Sequence, residues 1–187
     1  VHARLSIIDT SVVANQPIYD ITQRYAIIFN GEIFNYQEIR NELLQKGVQF
    51  KTHSDTEVLL YAYIHFGQDF LHKLNGFFAF AIHDKQEETL FIACDRFGIK
   101  PLYYYTKGDT FIFGSELKAI KAAPNLDLKI RKESIKEFLY LGYIPAPNSI
   151  YENIHKLDSG SYLKISKDGI EKFSYWSLKN KISSNVL

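Results

Sequence analysis

The chain has 187 residues, of which 46% are apolar, and its 22 Lys and Arg nearly balance 21 Asp and Glu, for a net charge of +1. This length suits one domain with a sizeable core, and a near-neutral chain has no general electrostatic attraction to nucleic acid or to an anionic membrane. No apolar run approaches the ~18 residues that a membrane span needs, and the N-terminal residues lack the layout of a signal peptide.

The first predicted element is a strand, and a helix follows it. The apolar run 24–29 stops at Asn30-Gly31, which predicts a buried strand that ends there in a tight turn. Asn35 begins the helix, Glu38 follows three residues later as in a capping box, and Gly47 ends it. Three apolar side chains share one face of this helix: Ile39, Leu43 and Leu44.

A second helix is predicted after a polar segment. Ser54 is its N-cap, Glu57 stands three residues later, and the apolar segment 58–66 leads to a stop at Gly67. In both helices the cap, the apolar pattern and the terminating glycine agree, so the sequence predicts their ends as well as their existence.

The middle of the chain has the pattern of β-hairpins. Residues 77–82 and 90–94 are predicted strands joined by a polar turn at 84–88, and they are so apolar that both faces of this hairpin should be covered. A second hairpin is predicted from 103–105 and 111–113.

Two helices and a last hairpin complete the pattern. The helices are predicted near 115–122 and 133–141, and a turn containing Asp-Gly joins the strands 161–166 and 170–175. Residues 177–187 have little apolar pattern and are expected to form a tail or the start of a linker. Strands that come as hairpins, with helices gathered between them, indicate an α+β fold of antiparallel sheets.

Several kinds of site find no support in the sequence. It has no P-loop, dinucleotide-binding or zincin motif, and its six histidines lack ligand spacing, so no metal site is expected. Without a basic stripe interleaved with aromatic residues, nucleic acid is not expected as a partner. The balanced charge and the short apolar runs give no reason to expect a membrane. Cys94, the one cysteine, alternates with apolar residues and is interpreted as a small buried side chain. A single cysteine also favours a cytoplasmic protein.

Three polar clusters at the edges of apolar elements are the candidate site: Arg4, Asn30-Gly31-Glu32 and Ser54-Asp55. Together they suit a free amino acid, because a guanidinium binds a carboxylate through two parallel hydrogen bonds and a carboxylate accepts from an ammonium. Asn30 and the N–H of Gly31 are two donors for a carbonyl oxygen that becomes negative during acyl transfer.

Each cluster also has a purely structural interpretation. Arg4 can pair with a surface acid, Asn-Gly is a common turn dipeptide, and an acid at the start of a helix interacts favourably with the helix dipole. The residue types alone leave both interpretations open.

At these residues the sequence resembles the glutaminase domain of glutamine-hydrolysing asparagine synthetases, which belong to the class II glutamine amidotransferases. The resemblance runs from about residue 2 to Trp176. The matching segments are 2–9 (HARLSIID), 15–18 (NQPI), 29–35 (FNGEIFN), 54–58 (SDTEV), 74–81 (LNGFFAFA), 95–104 (DRFGIKPLYY), 115–119 (SELKA), 142–147 (GYIPAP) and 160–163 (GSYL).

The resemblance implies a four-layer αββα sandwich of the N-terminal-nucleophile hydrolase type, spanning 1–176 as a partial domain. It implies hydrolysis of glutamine to glutamate and ammonia, in which an N-terminal Cys attacks the side-chain amide with its own α-amino group as base. That cysteine is absent here, and the chain begins at Val1 and contains no Met. We therefore expect an interior, N-terminally incomplete piece of a longer protein, inactive by itself.

Carried over residue by residue, the family's site falls on the three clusters. Asn30 and Gly31 correspond to the oxyanion hole, Arg4 to the group that holds the substrate α-carboxylate, and Asp55 with Glu32 to the groups that hold its α-ammonium. Three further residues beside Arg4 would line the pocket with backbone groups: Leu5, Ile7 and Ile8.

The resemblance also predicts partners outside the chain. A missing synthetase domain would use ATP and magnesium to activate aspartate and would receive the ammonia, whereas the fragment itself needs no cofactor. The resemblance leaves open whether the parent protein is a homodimer. Two other hypotheses remain: a glutamine-binding regulatory module without catalysis, and a class II amidotransferase that delivers ammonia to another acceptor.

Overall fold

Two antiparallel sheets form the centre of the computed structural model, which describes residues 8–9 and 11–179. The strands are β1 (Ile18–Tyr19), β2 (Tyr25–Ile33), β3 (Gly76–Asp84), β4 (Thr89–Cys94), β5 (Tyr103–Lys107), β6 (Thr110–Gly114), β7 (Ile154–Lys156), β8 (Ser161–Ser166) and β9 (Gly169–Ser174). The helices are α1 (Tyr36–Gln45), α2 (Asp55–Phe66), α3 (Phe70–Lys73), α4 (Leu117–Lys121) and α5 (Lys132–Leu141), with 3-10 turns at Val12–Ala14 and Gly67–Asp69.

Sheet A has the strand order β1-β2-β3-β4-β8-β9, and sheet B has the order β6-β5-β7. Every neighbouring pair in both sheets is antiparallel. The longest pairing joins all nine residues of β2 to all nine of β3, from Tyr25 opposite Asp84 to Ile33 opposite Gly76. This ladder has more paired residues than any other in the larger sheet.

Apolar side chains cover both faces of sheet A. On one face Phe78 and Phe80 are buried in a cluster with Leu43 of α1 and Leu60 of α2. Because strand side chains alternate, the neighbouring residue Ala79 belongs to a second cluster, between the two sheets. The prediction that both faces of the 77–94 hairpin are covered is confirmed.

The second and third apolar clusters define the remaining layers. Between the sheets, Ile92 and Leu163 of sheet A share a buried cluster with Leu102 and Leu157, which flank strands of sheet B. On the outer face of sheet B, Ile120 of α4 is buried with residues of β5 and β7. Helices, two sheets and a further helix therefore stack as αββα, and the predicted four-layer α+β class is confirmed.

Most predicted elements occur where the sequence placed them. The hairpins β3–β4, β5–β6 and β8–β9 and the helices α1, α2, α4 and α5 are all present. Ser54 caps α2 as predicted, since its Oγ accepts a hydrogen bond from the N–H of Thr56 at 3.1 Å. None of the helices in the described residues is long and apolar enough to cross a membrane.

Two local predictions were wrong. Leu44 does not join Ile39 and Leu43 in the core, because its side chain is about half exposed. The capping box predicted for α1 does not form, because the side chain of Asn35 binds Lys73 O and Asn75 N at 2.9 Å each. In α2, Glu57 stands at the third helical position as predicted, and its carboxylate accepts hydrogen bonds from Lys51 N and Thr52 N just before the helix.

The predicted turn at Asn30-Gly31 was also wrong, because β2 continues through both residues to Ile33. A Cβ on Gly31 would lie 2.2 Å from Phe77 O, and one on Gly76 would lie 2.1 Å from Glu32 O. The glycines thus allow β2 and β3 to approach closely, so pairing replaces the turn that the dipeptide favours in isolation.

An ion pair lies at the opposite end of this ladder. Asp84 accepts hydrogen bonds from Nε and Nη2 of Arg24 at 2.8 and 2.6 Å. The Arg24 guanidinium holds the pKa of Asp84 below its usual value, and Asp84 in turn raises the pKa of Arg24. The pair fixes the start of β2 beside the end of β3.

We expect Gly76→Ala to lower the free energy of unfolding by about 2 kcal/mol, because the added Cβ meets a backbone oxygen that cannot move freely. Gly108→Ala is the control: its φ is +55° but no atom lies within 4 Å of the added Cβ. That control should lose only about 1 kcal/mol, the cost of the left-handed conformation. Urea unfolding measures both, and equal losses would contradict a steric role for Gly76.

The Arg24–Asp84 pair should make stability depend on pH. Because the folded-state pKa of Asp84 is lowered, its contribution is present above the unfolded pKa of about 3.9 and is lost as the pH falls through the folded value. Asp84→Asn should therefore cost about 1.5 kcal/mol at neutral pH, and the deficit should shrink in acid. Asp109→Asn, in an exposed turn, is the control, and a deficit in Asp84→Asn that persists unchanged in acid would contradict this assignment.

Candidate active site

The described members of the predicted site gather at one end of sheet A. Asn30, Gly31 and Glu32 are in the last part of β2, and Asp55 is the first residue of α2. Ile8 is half-buried in the short segment 8–9. Arg4, Leu5 and Ile7 lie outside the described residues.

One edge of β2 is only partly covered by β1. The pairing with β1 involves only Ala26 and Ile27 of β2. Two residues further, the side chain of Gln16 takes the place of a strand: its Nε2 donates to Phe29 O at 3.0 Å, and its Oε1 accepts from Phe29 N at 2.6 Å. Residues 27 and 29 of β2 thus direct their backbone groups away from β3.

Asp55 binds the same edge at the end of the strand. Its Oδ2 accepts a hydrogen bond from Ile33 N at 3.2 Å, and only 6% of the residue is exposed. Residues of an antiparallel strand alternate in the side to which their N–H points. The N–H of Gly31 therefore faces the partly covered edge, between the Gln16 contact and the Asp55 contact.

The side chains of Asn30 and Glu32 share the opposite face from Phe29. Strand alternation places them with Ile28, which packs against the cluster between the two sheets. Asn30 is exposed, and its Nδ2 donates to Oγ of Ser115, just after β6, at 3.5 Å. Asn30 thus offers side-chain N–H donors one residue away from the edge-facing N–H of Gly31.

Buried hydrogen bonds hold the start of α2 in position. Glu57, 1% exposed, accepts from Lys51 N at 2.9 Å and from Thr52 N at 2.7 Å. Oδ2 of Asp9 accepts from His53 N at 3.0 Å. The residues that precede Asp55 are therefore fixed from two sides, and segment 8–9 lies at the same end of the domain.

Asp95 is a supporting residue that the sequence analysis did not single out. It is 1% exposed, and its carboxylate accepts from Phe78 N at 3.1 Å and from the N–H groups of Ile99 and Lys100 at 3.0 Å. Because Phe78 is opposite Gly31 in the ladder, Asp95 fixes the strand position across from the candidate oxyanion donor. An Asp followed by a loop with glycine is typical of an Asx turn, and that signal was available in the sequence.

Cys94 lies in the core between the sheets, as the sequence predicted. Only 1% of it is exposed, its Sγ donates to Asp158 O at 2.9 Å, and burial raises the pKa of its thiol to about 12. Such a thiol is almost entirely protonated at neutral pH, whereas nucleophilic attack needs the thiolate.

A separate cleft of about 610 Å³ lies at the same end of sheet A and is lined by residues of β8 and β9. Its lining includes Arg96, Phe97, Lys172 and Trp176, and none of the predicted site residues that the structure describes. In the described part of the chain, no group of three His, Cys, Asp or Glu residues is arranged to hold a metal ion.

The arrangement suits acyl transfer at an amino-acid side chain. Asn30 and Gly31 provide N–H donors on adjacent residues, as stabilisation of a developing oxyanion requires. The carboxylate of Asp55 is bound to the same strand only two residues beyond Gly31. An ionised carboxylate accepts several hydrogen bonds, so this group suits an ammonium.

Comparison with known proteins gives the same family. Residues 1–176 match the glutamine amidotransferase domain family. The chain is 45% identical over 166 residues to asparagine synthetase [glutamine-hydrolyzing] 1 and 38% identical over 183 residues to asparagine synthetase [glutamine-hydrolyzing] 3, both of Bacillus subtilis. These matches cover 89% and 96% of this chain but only 26% and 30% of the two relatives. The chain thus spans less than a third of the length of these curated relatives.

Solved structures share the fold at low sequence identity. Glutamine phosphoribosylpyrophosphate amidotransferase from B. subtilis, complexed with ADP and GMP, has a TM-score of 0.65 and 22% identity, covering 94% of this chain and 34% of that one. A structure described as the allosteric regulatory enzyme of purine biosynthesis has a TM-score of 0.61 and 24% identity, covering 86% and 31%. The motif segments of the present chain, its four-layer fold and the family match all agree. The chain belongs to the glutamine amidotransferase domain family.

Proposed function

We propose that this chain forms most of the glutaminase half of a cytoplasmic asparagine synthetase. The parent protein would hydrolyse glutamine to glutamate and ammonia and use the ammonia to amidate aspartate. The observation that carries this proposal is the edge of β2, where the Gly31 N–H lies between Gln16 and Asp55 beside the carboxamide of Asn30.

In this mechanism the chain's main chemical task is to stabilise a negative oxygen. A thiolate of the parent, supplied from before Val1, attacks the side-chain amide carbon of glutamine and forms a C–S bond. The carbonyl oxygen becomes negative and accepts from Asn30 Nδ2 and Gly31 N–H, whose strand is already fixed, so little reorganisation is needed. The amide nitrogen then takes a proton and leaves as ammonia, and water hydrolyses the thioester to glutamate.

The two charged groups of glutamine need partners of opposite charge. Asp55, with Glu32 nearby, suits the α-ammonium, and Arg4 suits the α-carboxylate through a planar two-bond contact. Leu5, Ile7 and Ile8 would line the same pocket. A substrate recognised at both ends is held with its side-chain amide at a fixed distance, which favours attack at one carbon.

The acceptor is proposed from the relatives. Proteins with 36–45% identity to this chain carry the name asparagine synthetase, whereas the amidotransferase of known structure with a different acceptor is 22% identical. ATP and magnesium would act in the remaining part of the parent, outside this chain.

Substitutions in the full-length parent test the assigned roles. Asn30→Ala should lower kcat for glutamate release by about 10²–10³-fold with little change in KM, because it removes an oxyanion donor. Asp55→Asn should mainly raise KM for glutamine, because it removes a charge that binds the α-ammonium equally in the ground state and in the transition state. Cys94→Ala is the matched control and should leave both constants unchanged. Activity that is lost in Cys94→Ala but kept in Asn30→Ala would contradict the mechanism.

The alternative functions have distinct outcomes in the same assays. If the parent binds glutamine but releases no glutamate, and binding weakens in Asp55→Asn, the chain is a glutamine-binding regulatory module. If glutamate is released but no asparagine forms with aspartate, ATP and magnesium, the ammonia has another acceptor.

A further inference from the structure

Helix α5 directs its apolar side chains into solvent. Ile135, Phe138 and Leu139 follow the i, i+3, i+4 spacing of one helix face, yet they are 42%, 54% and 78% exposed. The one buried residue of this helix is Ser134. In most amphipathic helices the apolar face packs on the core and the polar face is solvated, and α5 shows the reverse.

A network of hydrogen bonds holds α5 by its polar side. Ser134 Oγ donates to Ser149 O at 2.6 Å, and Arg131 Nη1 donates to Ser134 Oγ at 2.9 Å and to Glu137 at 3.2 Å. Asn148 Nδ2 also donates to Glu137, at 3.1 Å. A rotation that buried the apolar face would break these bonds, so the exposed orientation is built into the domain.

The segment that follows α5 lies near the point where the chain leaves sheet A. Lys156 N donates to Pro147 O at 2.9 Å, and four residues later Gly160 O accepts from Tyr175 N and Trp176 N at 2.8 and 3.1 Å. Four residues span at most ~14 Å. The chain therefore reaches Trp176 within about 20 Å of Pro147, six residues beyond the end of α5.

We propose that the apolar face of α5, defined by Ile135, Phe138 and Leu139, docks the part of the parent protein that follows Leu187. This inference rests on the proposed function, in which the chain is one part of a longer enzyme. The relatives give room for such a segment, because this chain spans only 26–37% of their length.

A tethered segment fits this face better than a second copy of the chain. A helix of ten residues is ~15 Å long, so its face is far smaller than the ~800 Å² per partner that a stable complex between separate proteins buries. A segment on the same chain, by contrast, is present at an effective concentration in the millimolar range. A small apolar face is then sufficient for docking.

Cysteine labelling of the full-length parent tests the docking directly. Leu139→Cys places a thiol on the apolar face, Lys136→Cys places one on the exposed polar face of α5, and Leu44→Cys replaces a half-exposed leucine of α1. The rate of maleimide labelling is followed by peptide mass spectrometry, which separates the new thiols from other cysteines. We expect Leu139→Cys to react at least about tenfold more slowly than both controls, which corresponds to ~1.4 kcal/mol of docking.

Two outcomes would overturn the proposal. In one, Leu139→Cys reacts as fast as Lys136→Cys and Leu44→Cys in the native parent. In the other, the protection of Leu139→Cys disappears when the parent is diluted to the monomer, which would show that a second copy covers the face. Glutamate release by the unsubstituted parent is measured in parallel. Activity with an unprotected Leu139→Cys refutes the docking alone, whereas protection without activity refutes the proposed function alone.

Discussion

The nine-residue pairing of β2 with β3 is the interaction on which the rest of the domain depends. It puts apolar side chains on both faces of sheet A, so that helices pack on one side and sheet B on the other. The Arg24–Asp84 ion pair holds one end of the ladder, and the close approach at Gly31 and Gly76 closes the other. The candidate site forms at the Gly31–Gly76 end, where Asp55 and Asp95 accept hydrogen bonds from the backbone of β2 and β3.

The same pairing explains which parts of the fold the sequence predicts. Local signals are sufficient to predict a helix and its ends where the cap residue, the apolar period and the terminating glycine agree, as they do in α2. Asn30-Gly31 favours a turn locally, but β3 offers a partner along the whole strand, and non-local pairing decides the structure. The short strands β1 and β7 have two and three residues, too few for any period to appear, and they form because a longer neighbour is already in place.

Within the site, residue identity was more predictable than geometry. The motif segments pointed to Asn30, Gly31 and Asp55, because these residue types suit the chemistry. Nothing local indicates that Gln16 binds Phe29 across thirteen residues, or that Asp55 binds the end of β2. Both contacts join residues that are far apart in the sequence and become neighbours only when the sheet has formed. The roles proposed for Arg4, Leu5 and Ile7 rest on the sequence alone.

The shortness of β1 has a consequence for the chemistry. A backbone N–H can stabilise an oxyanion only if no neighbouring strand already accepts from it, yet an uncovered strand edge invites pairing with other chains. Among the described residues β1 covers β2 only at Ala26 and Ile27, and a single side chain, Gln16, satisfies Phe29. At Phe29 the side chain of Gln16 takes the hydrogen bonds that a longer β1 would have made with β2. The edge is therefore covered up to Phe29, and the N–H of Gly31 stays directed to the part of the edge that β1 does not reach, where the proposed mechanism places the substrate carbonyl oxygen.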